Sequence, residues 1–289
     1  MNDVLECKGI VKKYNNKEAL KGIDLQIEKG KIYGLIGRNG AGKTTLISVL
    51  TGQSNATKGE VTLNGDKVWE NERALEKICF SRELKAVSGF GNNNLKIRDY
   101  FRIASVFYPE WDKNMAKRLI DLFELDDKQK ICKLSKGMMS MVTIIIALAS
   151  KSEYTFLDEP VAGLDVVARN QFYRLLLEEY EKTERTFVIS THIIEEAADL
   201  FEEVIIIDRG KLLLKENTVE LLDRSRHISG KSEYVDEIIN KAEFHKDEIM
   251  GRSKGSTVVL GAGEIIKTNT DITVQPVNLQ QLFAALCDN

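Results

Sequence analysis

The chain has 289 residues, 43% hydrophobic and 29% charged, with three prolines and a formal charge of −3. Such a composition supplies a core and argues against disorder, and a charge this small gives no reason to expect a polyanion-binding surface, so nucleic acid is not an expected partner. Four cysteines (Cys7, Cys79, Cys132, Cys287) and three histidines (His192, His227, His245) show no metal-ligand spacing, which fits unpaired thiols in a reducing compartment and lends no support to a structural zinc site.

The first residues, 1–6, lack the basic start and apolar run of a signal peptide. Residues 4–11 and 19–27 alternate apolar and polar positions around the turn-forming Asn15-Asn16 and predict strands. A short apolar strand at 31–36 runs into a glycine-rich segment, then a helix at 44–50 closed by Gly52. Residues 60–63, the turn Asn64-Gly65 and 67–69 predict a hairpin.

From about 95 to 149 the spacing turns helical, with helices at 98–107 and 113–123 separated by Pro109. The longest apolar stretch, 138–149, falls short of the ~20 residues of a spanning helix. The chain is therefore expected to be soluble, without direct membrane insertion, any membrane association coming through a partner. Strands at 154–157, 186–190 and 204–208 then alternate with helices at 169–180 and 193–201.

That alternation predicts an α/β fold: a mostly parallel sheet, an antiparallel β subdomain before it, and a helical insertion at about 92–140. Beyond about 216, a strand at 227–229, a helix at 234–242, a strand at 258–260 and a helix at 279–286 suggest a small αβ appendage. The expected domains are 1–216 and 217–289.

Gly37, Arg38, Asn39, Gly40, Ala41, Gly42, Lys43 and Thr44 match G-x-x-x-x-G-K-[ST] between a strand and a helix, as phosphate binding requires. Glycines let backbone N–H groups wrap an anion, Lys43 would pair with the β- and γ-phosphates, and Thr44 offers a hydroxyl to Mg²⁺. The following Thr45 is expected to join the phosphate contacts. The strand at 154–157 ends in Asp158 and Glu159. Lying parallel to strand 31–36, it would deliver Asp158 to hold Mg²⁺ and Glu159 to orient and deprotonate an attacking water. Strand 186–190 ends near His192, within reach of the γ-phosphate or that water.

In combination these residues resemble the ATP-binding subunits of ABC transporters over residues 1 to about 216, a P-loop ATPase core. By that resemblance Gly37 to Thr44 is the Walker A loop, 154–159 the Walker B strand, Ala162-Gly163-Leu164-Asp165 the D-loop and His192 the switch histidine. Tyr14 lies where an aromatic stacks on adenine; ATP over GTP rests on the resemblance. Leu134-Ser135-Lys136-Gly137-Met138 resembles the signature motif, in which Ser135 and Gly137 would meet a γ-phosphate at a helix N-terminus. Tyr108-Pro109-Glu110-Trp111-Asp112 resembles a feature of an exporter-type branch.

Two departures stand out. Lys136 and Met138 replace the usual glycine and glutamine of the signature, and the Q-loop pattern reads Phe80-Ser81-Arg82-Glu83, with glutamate for glutamine. Glu83 can still ligate Mg²⁺ but adds negative charge near phosphates, which Arg82 or the partner's Lys136 is expected to offset.

The resemblance implies a Mg²⁺-dependent ATPase that pairs head to tail with a second ATPase subunit, as a homodimer or a related heterodimer. A separate membrane-spanning permease would hold it on the cytoplasmic face of the cell membrane, with export preferred. The alternatives are a soluble ABC-type ATPase outside transport and a regulatory ATP-binding subunit with weak hydrolysis.

Overall fold

The computed structural model describes residues 3–84, 94–250, 253–264 and 266–287, and arranges its strands in three sheets. The alternating start of the chain forms β1 (Val4–Tyr14) and β2 (Lys17–Glu28), paired antiparallel across Asn15-Asn16. β4 (Lys58–Leu63) pairs with the other side of β1, and the Asn64-Gly65 turn returns the chain to the two-residue β5 (Asp66–Lys67). Both turn residues have positive φ, 55° and 90°, the geometry that favours Asn-Gly in a hairpin. β5 is shorter than the expected 67–69 because the chain turns at Glu70 (φ 56°) into the small helix α2 (Glu72–Leu75).

The central sheet contains β3 (Ile32–Ile36), β6 (Ile78–Ser81), β7 (Tyr154–Asp158), β8 (Thr186–Ser190), β9 (Glu203–Asp208) and β10 (Lys211–Asn217). Its order is β10-β9-β3-β8-β7-β6, all parallel except the antiparallel edge strand β10. Every residue of β3, β7 and β8 is buried, as in a sheet covered on both faces. Side chains two apart share a face. Tyr33, Leu35, Phe156 and Val188 therefore join one core with Leu5 and Ile23 of the antiparallel sheet and Leu46 of α1 (Lys43–Leu50). Ile32, Leu157, Phe187 and Ile206 join the other, with α5 (Lys136–Ala149) and α6 (Val166–Thr183). Each fully buried large side chain contributes roughly 1.5–3 kcal/mol.

The helical segment holds α3 (Ile97–Phe107), α4 (Lys113–Leu122) and the start of α5. The expected start of this insertion, 92, lies outside the described residues. Pro109 sits in the break between α3 and α4, Trp111 stacks near Tyr108 at a centroid distance of 6.4 Å, and Asp112 caps α4 by accepting from the Met115 amide (2.9 Å).

The helix expected at 193–201 is a correction. It is the one-turn α7 (Ile194–Ala197) followed by a 3-10 turn at Ala198–Leu200. The tightened end drops the Phe201 ring beside Gly34, where a Cβ would lie 2.4 Å from that ring.

Beyond β10 come α8 (Thr218–Asp223), β11 (Ser225–Lys231), α9 (Ser232–Ile239), β12 (Phe244–Met250), β13 (Ser253–Val259), β14 (Ile272–Pro276) and α10 (Leu279–Cys287). The four strands form an antiparallel sheet in the order β12-β13-β11-β14. The sequence signal missed β10, α8, β12 and β14. α10 packs back against α7: Leu279, Leu282 and Cys287 share a buried cluster with Ile194 and Ala197. No helix among the described residues is long and apolar enough to cross a membrane.

Candidate active site

The loop leaving β3 needs glycine at two points. Gly42, the residue before α1, has φ of 113°, and a Cβ on Gly37 would sit 2.6 Å from the Ile207 carbonyl oxygen. Hydrogen bonds hold the loop on both sides: the Ala41 amide donates to the Arg38 carbonyl (3.0 Å), and the Gly210 amide donates to the Ala41 carbonyl (2.8 Å). Gly40 (φ 81°) and the exposed Asn39 form its tip. Gly42 caps α1 without a side-chain hydrogen bond, so the positive end of the helix faces the loop.

Lys43, the first residue of α1, is nearly buried, with Nζ donating to the Gly37 carbonyl (2.6 Å) and 3.9 Å from Glu159 Oε1. Burial pushes its ammonium below the ordinary lysine range, and the charges of Glu159 and Asp158 oppose that shift. A buried cation facing two carboxylates is suited to an incoming polyanion.

Parallel strands all end on one edge, so β7 and β8 deliver their last residues beside this loop. The Thr44 hydroxyl donates to Asp158 Oδ2 (2.7 Å) and the Ser190 hydroxyl to Oδ1 (2.5 Å). Glu159 has φ of 51°, a region that costs a non-glycine residue about 1–3 kcal/mol. Its amide donates to the Ser190 carbonyl (3.0 Å), which holds the kink. His192 Nδ1 lies 2.6 Å from Glu159 Oε2. An ionised carboxylate only accepts, so Nδ1 carries the proton in this contact. Lys43, Thr44, Asp158, Glu159 and His192, read separately from the sequence, are thus one connected cluster. Ser190 belongs to it and was not singled out, although a serine ending an apolar strand carried the signal.

Comparison with known proteins agrees with this geometry. A sequence-family profile described as ABC transporter matches residues 20–162. The bacitracin transport ATP-binding protein BcrA of Bacillus licheniformis is 29% identical over 264 residues, 86% of this chain and 85% of its own length. Residues 20–162 thus form an ABC transporter domain. Human ATP-binding cassette sub-family A member 10 is 31% identical over 219 residues, and this chain spans 14% of its length. A dimeric bacterial ABC transporter cassette shares the fold at a TM-score of 0.64 and 23% identity, across 74% of this chain and 98% of that chain.

Other residues of this ABC cassette stand around the cluster. Tyr14 is half-exposed at the end of β1, with Lys12 Nζ 5.2 Å from its ring centroid. Tyr14, Thr44 and Thr45 line a groove of about 1230 Å³ together with Ile103, Val106 and Phe107 of α3. Val106 and Phe107 are 79% and 68% exposed, an unusual presentation for large apolar side chains.

The signature residues lie at the start of α5, beside the D-loop. Ser135 caps α5 by accepting from the Met138 amide (3.2 Å), and a Cβ on Gly137 would meet the Gly163 carbonyl oxygen at 2.7 Å. The Ser140 hydroxyl donates to the Ala162 carbonyl (2.6 Å), tying the same helix to the D-loop. Spacing gave no sign of this contact, which only the fold brings about. Glu83 pairs with Lys136 at 3.2 Å within one chain, where the expectation was Arg82 or a partner's Lys136. In the loop itself, Arg38 Nη1 donates to the Cys287 carbonyl at the end of α10 (3.4 Å).

Proposed function

We propose that this cassette hydrolyses ATP to power an ABC transporter, with Glu159 as the general base. The observation that carries the reading is the connected cluster at the end of the parallel sheet: a buried lysine, a glycine loop leading into a helix, and a strained glutamate hydrogen-bonded to histidine. The backbone amides from Gly37 to Thr45 bind the phosphates, with Arg38, Asn39, Gly40, Ala41 and Gly42 shaping the loop. Lys43 turns from its carbonyl partner to the β- and γ-phosphates. Tyr14 stacks on the base. Glu159 takes the proton of the attacking water, and His192 holds the carboxylate in line.

The donor set fits Mg²⁺. Thr44 and Asp158 offer a hydroxyl and a carboxylate already in contact, the one or two protein oxygens that this ion takes beside substrate phosphates, and Glu83, in the chain leaving β6 on the same sheet edge, would add a third. When bound, Mg²⁺ would neutralise charge on the phosphates.

Ser135 and Gly137 sit at the N-terminus of α5, a helix start suited to a phosphate, which supports a head-to-tail pair in which each signature helix start covers the other subunit's nucleotide. The apolar rim of the groove at Val106 and Phe107 supports a membrane-spanning permease as the docking partner, placing the cassette on the inner face of the cell membrane. Similarity to a bacitracin transport protein favours export. In this reading residues 1–216 are the ATP-binding domain, with its helical subdomain at about 92–140, and 217–289 an accessory domain.

Single-turnover hydrolysis with equimolar Mg·ATP tests the proposal, read beside ATP-dependent pairing by light scattering. The wild type should release phosphate, and Glu159→Gln should bind ATP and accumulate as pairs. Wild type that binds ATP without turning it over would favour the regulatory reading instead.

A further inference from the structure

The two departures of this chain from the family pattern touch each other. Glu83 and Lys136 stand 53 positions apart in sequence, yet their side chains meet at 3.2 Å. β6 pairs in parallel with β7, Ser81 opposite Leu157, so the chain leaving β6 emerges on the edge where Asp158 and Glu159 leave β7. Glu83 is therefore a third carboxylate on the edge that must accept a nucleotide's phosphates. An unpaired charge there would repel them.

Lys136 is placed to answer that charge. It is the first residue of α5, next to the Ser135 cap, and its stem lies over the D-loop: a Cβ on Gly163 would come 2.8 Å from Lys136 Cγ and 3.0 Å from its Cβ. Gly163 has φ of 79° and no side chain, which leaves the lysine room to cross towards Glu83. The pair thus bridges the Q-loop, the signature helix and the D-loop of one chain.

Resting on the ATP-binding reading above, we infer that Lys136 is a positioning residue that neutralises Glu83 of its own chain, so that the glutamate and the lysine are one compensated substitution. Lys136 acts on ATP through Glu83, and its contribution disappears when Glu83 is made neutral. Because both side chains are about half-exposed, the pair is of the kind worth little to folding, and its effect belongs to the local charge at the site.

The test is a double-mutant cycle on the full chain, read by Mg·ATP titration calorimetry at low and high salt. Lys136→Ala should weaken ATP binding about two- to fivefold, the range of a partly exposed ion pair. In a Glu83→Gln background the same change should do nothing, and Lys136→Arg should restore the wild-type value. The loss should shrink at ~1 M salt, where screening acts within a few ångströms. An equal loss in both backgrounds would overturn the inference and assign Lys136 a direct phosphate contact. No loss in either would overturn it too. Those results differ from failure of the functional reading, in which the wild type itself binds no Mg·ATP.

Discussion

The central sheet and the C-terminal sheet use strands of similar length to different ends. In the central sheet five strands run parallel, so β3, β7 and β8 end at one edge and place Gly37, Asp158 and, two residues past Ser190, His192 together. In the C-terminal sheet neighbours run antiparallel and their ends alternate, so no edge collects them. Burial differs to match. β7 and β8 are buried at every position, whereas β11 is buried only at Ser225 and Ile228. A parallel sheet concentrates chemistry; the antiparallel one supplies a surface. The comparison teaches that substitutions at strand ends of the first should change rate with little effect on stability, and core substitutions in the second should do the reverse.

The largest expected effect lies at the central edge. Glu159→Gln keeps the shape of the kinked turn and removes a proton acceptor, so hydrolysis should fall by about 10²- to 10⁴-fold. ATP affinity and melting temperature should stay near wild type. Phosphate release paired with a thermal melt checks both halves, and a melt lowered along with the rate would blur the contrast between the two sheets.

The reverse case is Ile228→Ala in the central strand β11. Ile228 is fully buried with Val235, Ile239, Val258, Leu260 and Ile272 in a core of its own. Loss of such a side chain typically costs about 2–5 kcal/mol. Unfolding followed by fluorescence and calorimetry should show the C-terminal part melting earlier, while ATP affinity at low temperature stays within about twofold of wild type, a shift under ~0.4 kcal/mol. Concerted loss of ATP binding would mean that 217–289 does not unfold as a unit apart, and the domain division at 216 would have to move.

How far each sheet could be read in advance follows the same contrast. Residues 154–157 (Tyr-Thr-Phe-Leu) and 186–190 (Thr-Phe-Val-Ile-Ser) are mostly apolar runs because both faces are covered, and hydrophobic pattern alone finds such runs. β12, in contrast, begins Phe-His-Lys-Asp, and β14 reads Ile-Thr-Val-Gln-Pro with only its first residue buried. Their strand character comes from pairing with neighbours, which a local window does not see. The site divides likewise. The phosphate loop and the acidic strand end are contiguous in sequence and were legible, as was His192. Pairings between distant segments, such as Glu83 with Lys136 and Gly137 with Gly163, depend on how α5 packs, and spacing holds no record of that.

Gly137→Ala probes a contact made by packing alone. The added Cβ would meet the Gly163 carbonyl oxygen at 2.7 Å, backbone that can yield only by shifting the D-loop. Overpacking of this kind costs about 1–3 kcal/mol. In this cassette the strain should show as weakened ATP-dependent pairing more than as lost nucleotide affinity. Pairing measured by light scattering against ATP concentration checks it. Normal pairing would show that the signature helix and the D-loop are free to separate.

The smallest effect tests whether an antiparallel sheet can serve the site at all. Tyr14 ends β1, half-exposed, on the groove that Thr44 and Thr45 also line. Aromatic stacking contributes about 0.5–1.5 kcal/mol beyond buried area, so Tyr14→Ala should weaken ATP binding by about two- to twelvefold. Tyr14→Phe, which keeps the ring, should bind as wild type. Because stacking selects bases weakly, GTP should lose as much as ATP. Lys12, whose ammonium stands 5.2 Å from the same ring, would be left without its aromatic partner in the alanine variant only. A loss for ATP with none for GTP would mean that the ring does more than stack, and that this strand end reads the base.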